Sequence, residues 1–285
     1  MSSHTVGLGA FARSLMLAVL AGSALLAGCA ADPGTAPGSG SSARTPTTAA
    51  NLSLVAIGDS IPNNSPSDCP GCTGFVARYA KAVQDATGKV VDVHNLSQHN
   101  GLDLPGLLAE LDGFKQQLTH ADVIIVGIAH NSNELASDTP CGGTRDNKEL
   151  PDWSKMTRAC SAASVAKYRP LYGQLFTTIA GWRHSKPTIL RTINRYNDVL
   201  GAPTLDLSPG QNAVVKKFLD DWNPMLCSAA AKAGFGCADL YRAFNGPSGQ
   251  RPSGDLLGAD YTHPSDKGNA LIGQVLTTQG FTPLA

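Results

Sequence analysis

Leu52-Ser53-Leu54-Val55-Ala56-Ile57-Gly58-Asp59-Ser60 is an apolar run that ends, with no polar spacer, in a glycine, a carboxylate and a hydroxyl. Leu52, Leu54, Val55, Ala56 and Ile57 read as a buried strand. Glycine at 58 permits a sharp turn that a side chain would obstruct. In an open α/β sheet, ligands bind outside the carboxyl ends of the strands. Ser60 therefore falls where chemistry would be done.

The far end of the chain supplies what a serine needs. Asp260-Tyr261-Thr262-His263-Pro264 sets a carboxylate and an imidazole three residues apart, just before an apolar helix. A serine hydroxyl is a poor nucleophile until a neighbouring base takes its proton. Histidine, with an ordinary pKa of about 6.5, serves near neutrality. A carboxylate then holds the ring in the useful tautomer. The remaining histidines are scattered along the sequence without a ligand cluster, so no metal and no cofactor are expected.

Between these ends, apolar strands alternate with helical periodicity. Strands are expected over Lys89–Leu96, Ala121–Ala129, Pro187–Ile193 and Phe235–Leu240. Phe75, Val76, Tyr79, Ala80 and Val83 mark a helix with Thr73 as its N-cap. A second helix carries Leu104, Leu107, Leu108, Leu111 and Leu118, and a third runs from Ser164 to Trp182. Val214, Val215, Phe218, Leu219 and Trp222 mark a fourth, which Pro224 should kink or end. Ala270, Leu271, Ile272 and Val275 lie on the last. Five strands alternating with helices predict a three-layer α/β/α sandwich with a mostly parallel sheet. Residues 132–160 form a long polar insertion, expected either to cover part of the cleft or to be a mobile surface loop.

Gly-Asp-Ser early and Asp-x-x-His late resembles the SGNH, or GDSL, hydrolases, a family of esterases, lipases and carbohydrate deacetylases. The resemblance spans most of residues 52–280 and implies a flavodoxin-like five-stranded sheet. It implies Ser60 as nucleophile, His263 as base and Asp260 as its orienting carboxylate. The oxyanion would be held by the backbone N–H of Ser60, a glycine N–H of the second block and an asparagine amide of the third. Gly101 is the best match for that glycine, with the backbone of Asn100 the alternative, because the spacing from Asn95 is one residue long. Ala129-His130-Asn131-Ser132 matches the third block and gives Asn131 as the amide donor. Alanine replaces the usual glycine there, and Ser132 the usual aspartate. His130 is expected to shape the site, His99 to be a loop residue, and Asp59 to be structural. Asn194-Arg195-Tyr196-Asn197 is expected at the pocket rim.

Residues 1–28 read as a signal segment: Arg13 precedes an apolar core from Leu15 to Leu26, too short for an ordinary membrane span. Leu26-Ala27-Gly28-Cys29 looks like the lipobox of bacterial lipoproteins, which implies cleavage before a lipidated Cys29. Residues 29–50 have almost no large apolar side chains and read as a flexible tether, leaving 51–285 as the one folded domain. Export with a lipid anchor on the outer face of the cell membrane follows from that resemblance. Six further cysteines suit an oxidising compartment. Nearest-neighbour pairing, Cys69–Cys72, Cys141–Cys160 and Cys227–Cys237, is the simplest of the connectivities open to them.

With 22 basic and 22 acidic residues, no nucleic-acid-binding patch is indicated. A monomer acting on a small, lipid or glycan ester is expected. Two other readings remain. The altered third block favours an inactive surface-binding lipoprotein on the same scaffold. Cys69-Pro70-Gly71-Cys72 just before a helix fits a thiol oxidoreductase.

Overall fold

The computed structural model describes residues 51–131, 157–184 and 186–285. Five strands form one wholly parallel sheet: β1 (Leu52–Gly58), β2 (Val91–Asn95), β3 (Val123–Gly127), β4 (Ile189–Ile193) and β5 (Gly236–Ala238). Their spatial order is β2-β1-β3-β4-β5, the flavodoxin-like arrangement. The helices are α1 (Ser60–Asn63), α2 (Phe75–Thr87), α3 (Leu104–Glu110), α4 (Lys115–His120), α5 (Arg158–Trp182), α6 (Pro209–Lys232), α7 (Leu240–Asn245) and α8 (Asp266–Thr277).

Alternate side chains of one strand point to opposite sheet faces. Along β1, Val55 and Ile57 pack with α3, α5 and α6, whose Leu104, Tyr172, Phe176, Phe218 and Trp222 are fully buried. Leu52, Leu54 and Ala56 face the other way, onto α2, α7 and α8 through Phe75, Tyr79, Phe244 and Ile272. β3 divides likewise, Ile124 and Val126 to one side, Val123 and Ile125 to the other. Burial on both faces is why these two strands read as continuous apolar runs. β2 lies at the edge, and its flanking Val90 and internal Val93 are exposed.

Four local expectations are corrected. β2 to β5 are shorter than the runs expected for them, β5 spanning three residues. The predicted helix over 104–118 breaks at a 3₁₀ turn, Leu111–Phe114, centred on Asp112 and Gly113; glycine costs a helix about 1 kcal/mol. Thr73 does not cap α2. Gly74 holds that position without a side-chain bond, and α8 caps the helix instead: the Phe75 N–H donates to Asn269 Oδ1 (3.0 Å) and the Thr73 N–H to Asp266 (3.1 Å). Nor does Pro224 end α6, which runs on to Lys232. A proline inside a helix costs about 3 kcal/mol. Burial of Met225 and Leu226 just beyond it returns roughly 3–6 kcal/mol, and the Cys227–Cys237 disulfide ties the same segment to β5.

Cys69–Cys72 is also closed, as predicted. Cys160 is disulfide-bonded; its predicted partner Cys141 and most of the 132–160 insertion lie outside the described residues. So do Cys29, the signal segment and the tether. Among the described residues no helix is long and apolar enough to cross a membrane.

β1 and β3 meet most closely at their carboxyl ends. Gly58 has φ +146°, and a Cβ built on it would sit 1.9 Å from the Gly127 carbonyl oxygen. The Asp59 N–H donates to that oxygen at 2.9 Å, so the approach fixes the turn into α1. Gly58→Ala should therefore force the two central strands apart. Chemical denaturation is expected to register a loss of about 3–5 kcal/mol, or no soluble protein; wild-type stability would contradict this account.

Candidate active site

Ser60 opens α1, a single turn capped by the residue before it. Asp59 Oδ1 accepts from the Ile61 N–H (3.0 Å), and its Oδ2 accepts from the His130 N–H (3.2 Å). One fully buried carboxylate thus joins the turn after β1 to the turn after β3. Burial pushes its pKa up to about 6, against the opposing pull of those two N–H groups and of the His263 and Arg195 charges. Asp59 is structural, as the sequence suggested.

The loop before α8 delivers the second half of the site. Asp260 Oδ1 accepts from the backbone N–H groups of Thr262 and His263, both at 3.0 Å. Its Oδ2 meets His263 Nδ1 at 2.5 Å, and His263 Nε2 meets Ser60 Oγ at 2.8 Å. Hydroxyl, imidazole and carboxylate stand in one line of hydrogen bonds across 203 residues of chain. Burial lowers the His263 pKa, but the Asp260 hydrogen bond and the charges of Asp260, Asp68 and Asp59 outweigh it, so the net direction is up. The Asp260 carboxyl stays below its ordinary value: burial raises it, and the bonds from His263 and the Thr262 and His263 N–H groups overcome that.

The two remaining predicted contributors sit on neighbouring loops. The Asn131 side-chain amide donates to the Leu102 carbonyl at 3.1 Å, tying the turn after β3 to the turn after β2. An amide has two donor hydrogens, so that bond commits one of them. Gly101 occupies an exposed left-handed turn (φ +76°), and the side chain of Asn100 accepts from the Leu102 N–H at 3.1 Å.

Asn194 to Asn197 lie beneath the site rather than on a rim, and all four are buried. Arg195 donates to the His130 carbonyl (2.5 Å) and pairs with Asp198 (3.2 Å). The Tyr196 hydroxyl donates to the Thr262 carbonyl at 2.6 Å, next to His263. Its ring lies 4.2 Å from His130 and stacks on Phe244 at 4.4 Å. Burial keeps Tyr196 protonated, well above its ordinary pKa, and keeps His130 neutral, well below its own. Both shape the site and neither titrates near neutrality.

Two features were not anticipated. Asn269, on α8 and fully buried, donates to Asn64 Oδ1 (3.0 Å) and to the Pro264 carbonyl (3.2 Å) while its own oxygen caps α2. It ties the segment after Ser60 to the segment after His263. Its signal was an amide inside an apolar helix face, where a polar group is retained when it has partners. The second feature overturns the reading that histidines and acids form no cluster. Asp68, His99 and His263 place one ligand atom each within 4.8 Å of one another. They are 31 to 195 positions apart in sequence, so no spacing pattern could reveal them.

Removing the Asp59 carboxylate would leave the buried Ile61 and His130 N–H groups unpaired. Asp59→Ala is expected to cost about 2–4 kcal/mol in denaturant unfolding. A change under half of that would show the carboxylate is dispensable.

Residues 56–271 match the model of the GDSL-like lipase/acylhydrolase family. No curated protein matches the chain in sequence. Among solved structures the chain is similar to a lipase from a goat rumen metagenome (20% identity, TM-score 0.64, covering 82% of this chain and 100% of that one). It is similar to an extracellular lipase from Streptomyces rimosus (17%, TM-score 0.52, 81% and 100%). Phospholipase A1 from Streptomyces albidoflavus gives the same figures (17%, TM-score 0.52, 81% and 100%). At these identities the structures attest the shared fold, while the family match covers both ends of the site. The chain belongs to the GDSL-like lipase/acylhydrolase family and is an ester hydrolase of that kind.

Proposed function

We propose that the protein is a serine esterase working through an acyl-enzyme, with Ser60 as nucleophile. The observation that carries this is the unbroken series Ser60 Oγ, His263 Nε2, His263 Nδ1, Asp260 Oδ2, with contacts of 2.8 and 2.5 Å. Asp260 accepts from Nδ1–H and so fixes the tautomer whose Nε2 lone pair faces the hydroxyl. The Ser60 oxygen attacks the ester carbonyl as its proton passes to Nε2. The tetrahedral oxyanion is held by the Ser60 N–H, by Asn131 and by the N–H of Gly101 or Asn100. Collapse expels the alcohol, which takes the proton from Nε2. Water, activated by the same imidazole, then releases the acid and restores Ser60.

Neutral His130, buried Asp59 and the Tyr196–Thr262 bond act at one remove, holding the loops on which the donors sit. The Cys69–Cys72 disulfide lies in the segment between Ser60 and α2, where it braces that turn. The inactive-scaffold reading finds no support in a site whose three groups are already in bonding sequence. Similarity to a lipase and to a phospholipase A1 supports carboxylic esters of lipids as substrates. Two disulfides among the described residues support export. With the Cys29 lipobox they make a lipid-anchored enzyme at the outer membrane face our reading of its location.

Ser60→Ala should lower hydrolysis of a short p-nitrophenyl ester about ten-thousand-fold or more, and Asp260→Asn comparably, with folding intact. Asn131→Ala should lower turnover roughly 100-fold with little change in KM. A fluorophosphonate should label wild type and not Ser60→Ala; retained activity in that variant would end the mechanism. A second check is the acidic limb of kcat/KM. The base must be neutral to work, so activity should rise with pH through a pKa above the ordinary histidine value, because Asp260, Asp68 and Asp59 face His263 alongside His99. A limb below 6.5 would contradict that balance of charges.

A further inference from the structure

His263 Nε2 faces two groups, not one. Beside Ser60 Oγ stands Asp68 Oδ2, 3.5 Å from the same nitrogen. Asp68 in turn holds His99 Nε2 at 2.9 Å, and the His99 and His263 rings are 5.7 Å apart between centroids. Two imidazole nitrogens and a carboxylate oxygen, all mutually within 4.8 Å, make a donor set suited to zinc. Bonds of about 2.0–2.2 Å around a tetrahedral ion put its donors roughly 3.3 Å apart. The Asp68–His99 and Asp68–His263 separations already lie on either side of that value.

Each donor is held from behind. Asp68 immediately precedes the disulfide-bonded Cys69, and its N–H donates to the Ser65 carbonyl at 3.0 Å. His263 gives its other nitrogen to Asp260, and this imidazole–carboxylate pairing is what orients a metal-binding histidine and raises its basicity. His99 follows Gln98, whose N–H is anchored to the Gly58 carbonyl at 2.9 Å. Its half-exposed ring has room to close the small remaining distance. The Asp68 carboxylate supplies negative charge toward a divalent cation at this position.

We propose that Asp68, His99 and His263 bind a divalent transition metal, zinc foremost, and that binding switches the hydrolase off. The coordinate bond uses the Nε2 lone pair, the same pair that receives the Ser60 proton, so metal binding and proton acceptance exclude each other. The inhibitory half rests on the proposed role of His263; the binding half rests on geometry alone.

Isothermal titration with zinc on Ser60→Ala reads binding without any turnover. One zinc per chain is expected at this site, weakened roughly tenfold or more by adding His99→Ala or Asp68→Asn. In the Ser60-containing enzyme, zinc should abolish hydrolysis and fluorophosphonate labelling, with recovery on chelation. Measured against its own metal-free rate, His99→Ala should need about tenfold more zinc for the same fractional inhibition. Circular dichroism confirms that each variant is folded. Absence of zinc binding, equal affinity in the His99 variant, or bound zinc that leaves labelling unchanged would each overturn the proposal. Failure of the esterase reading looks different: no hydrolysis and no labelling before any metal is added.

Discussion

Everything at this site hangs on a carboxylate that never meets solvent. Asp59 follows β1 directly, and its two oxygens accept N–H bonds from the turns after β1 and β3. Those turns carry Ser60 and Asn131, so one buried group sets the distance between the hydroxyl and the amide. Ionisation of a group so enclosed is costly, which is why burial moves its pKa to about 6 despite two donors. The cost is tolerable because the alternative, two orphaned N–H groups under the reacting centre, is worse.

The other half of the site is wired by amides. Asn269 connects the segments following Ser60 and His263 and caps α2 in the same stroke. Asn245 does similar work one loop away, accepting from the Asn197 N–H at 2.7 Å and donating to the Asn197 carbonyl at 3.1 Å. Loops at the carboxyl edge of a parallel sheet have few backbone partners of their own. Buried side-chain amides, each with donors and an acceptor, replace the missing ladder bonds. Tyr196 adds a hydroxyl to the Thr262 carbonyl, and the loop bearing the imidazole is thereby fixed to the layer below.

Asp68 and His99 sit outside that wiring, yet they share the imidazole with the serine. A hydrolase gains from a second carboxylate near its base, because negative charge stabilises the imidazolium formed in turnover. The same carboxylate turns a lone imidazole into part of a chelate. Both consequences follow from one position, the residue before the disulfide-bonded Cys69.

The sequence alone determined the class of fold and the family signature at its two ends. Continuous apolar runs in β1 and β3, helical spacing between strands, and the order Gly-Asp-Ser then Asp-x-x-His are local patterns, and local patterns survive in one dimension. Strand order came only through family likeness, and the lengths of β5 and α6 depended on neighbours: packing overrode Pro224, and α8 rather than Thr73 capped α2. The tertiary structure alone decided which side chains share a space. Asn269, Tyr196, Asp68 and His99 act through contacts spanning tens to hundreds of residues, and such contacts leave no spacing to read because the sheet, not the chain, brings them together.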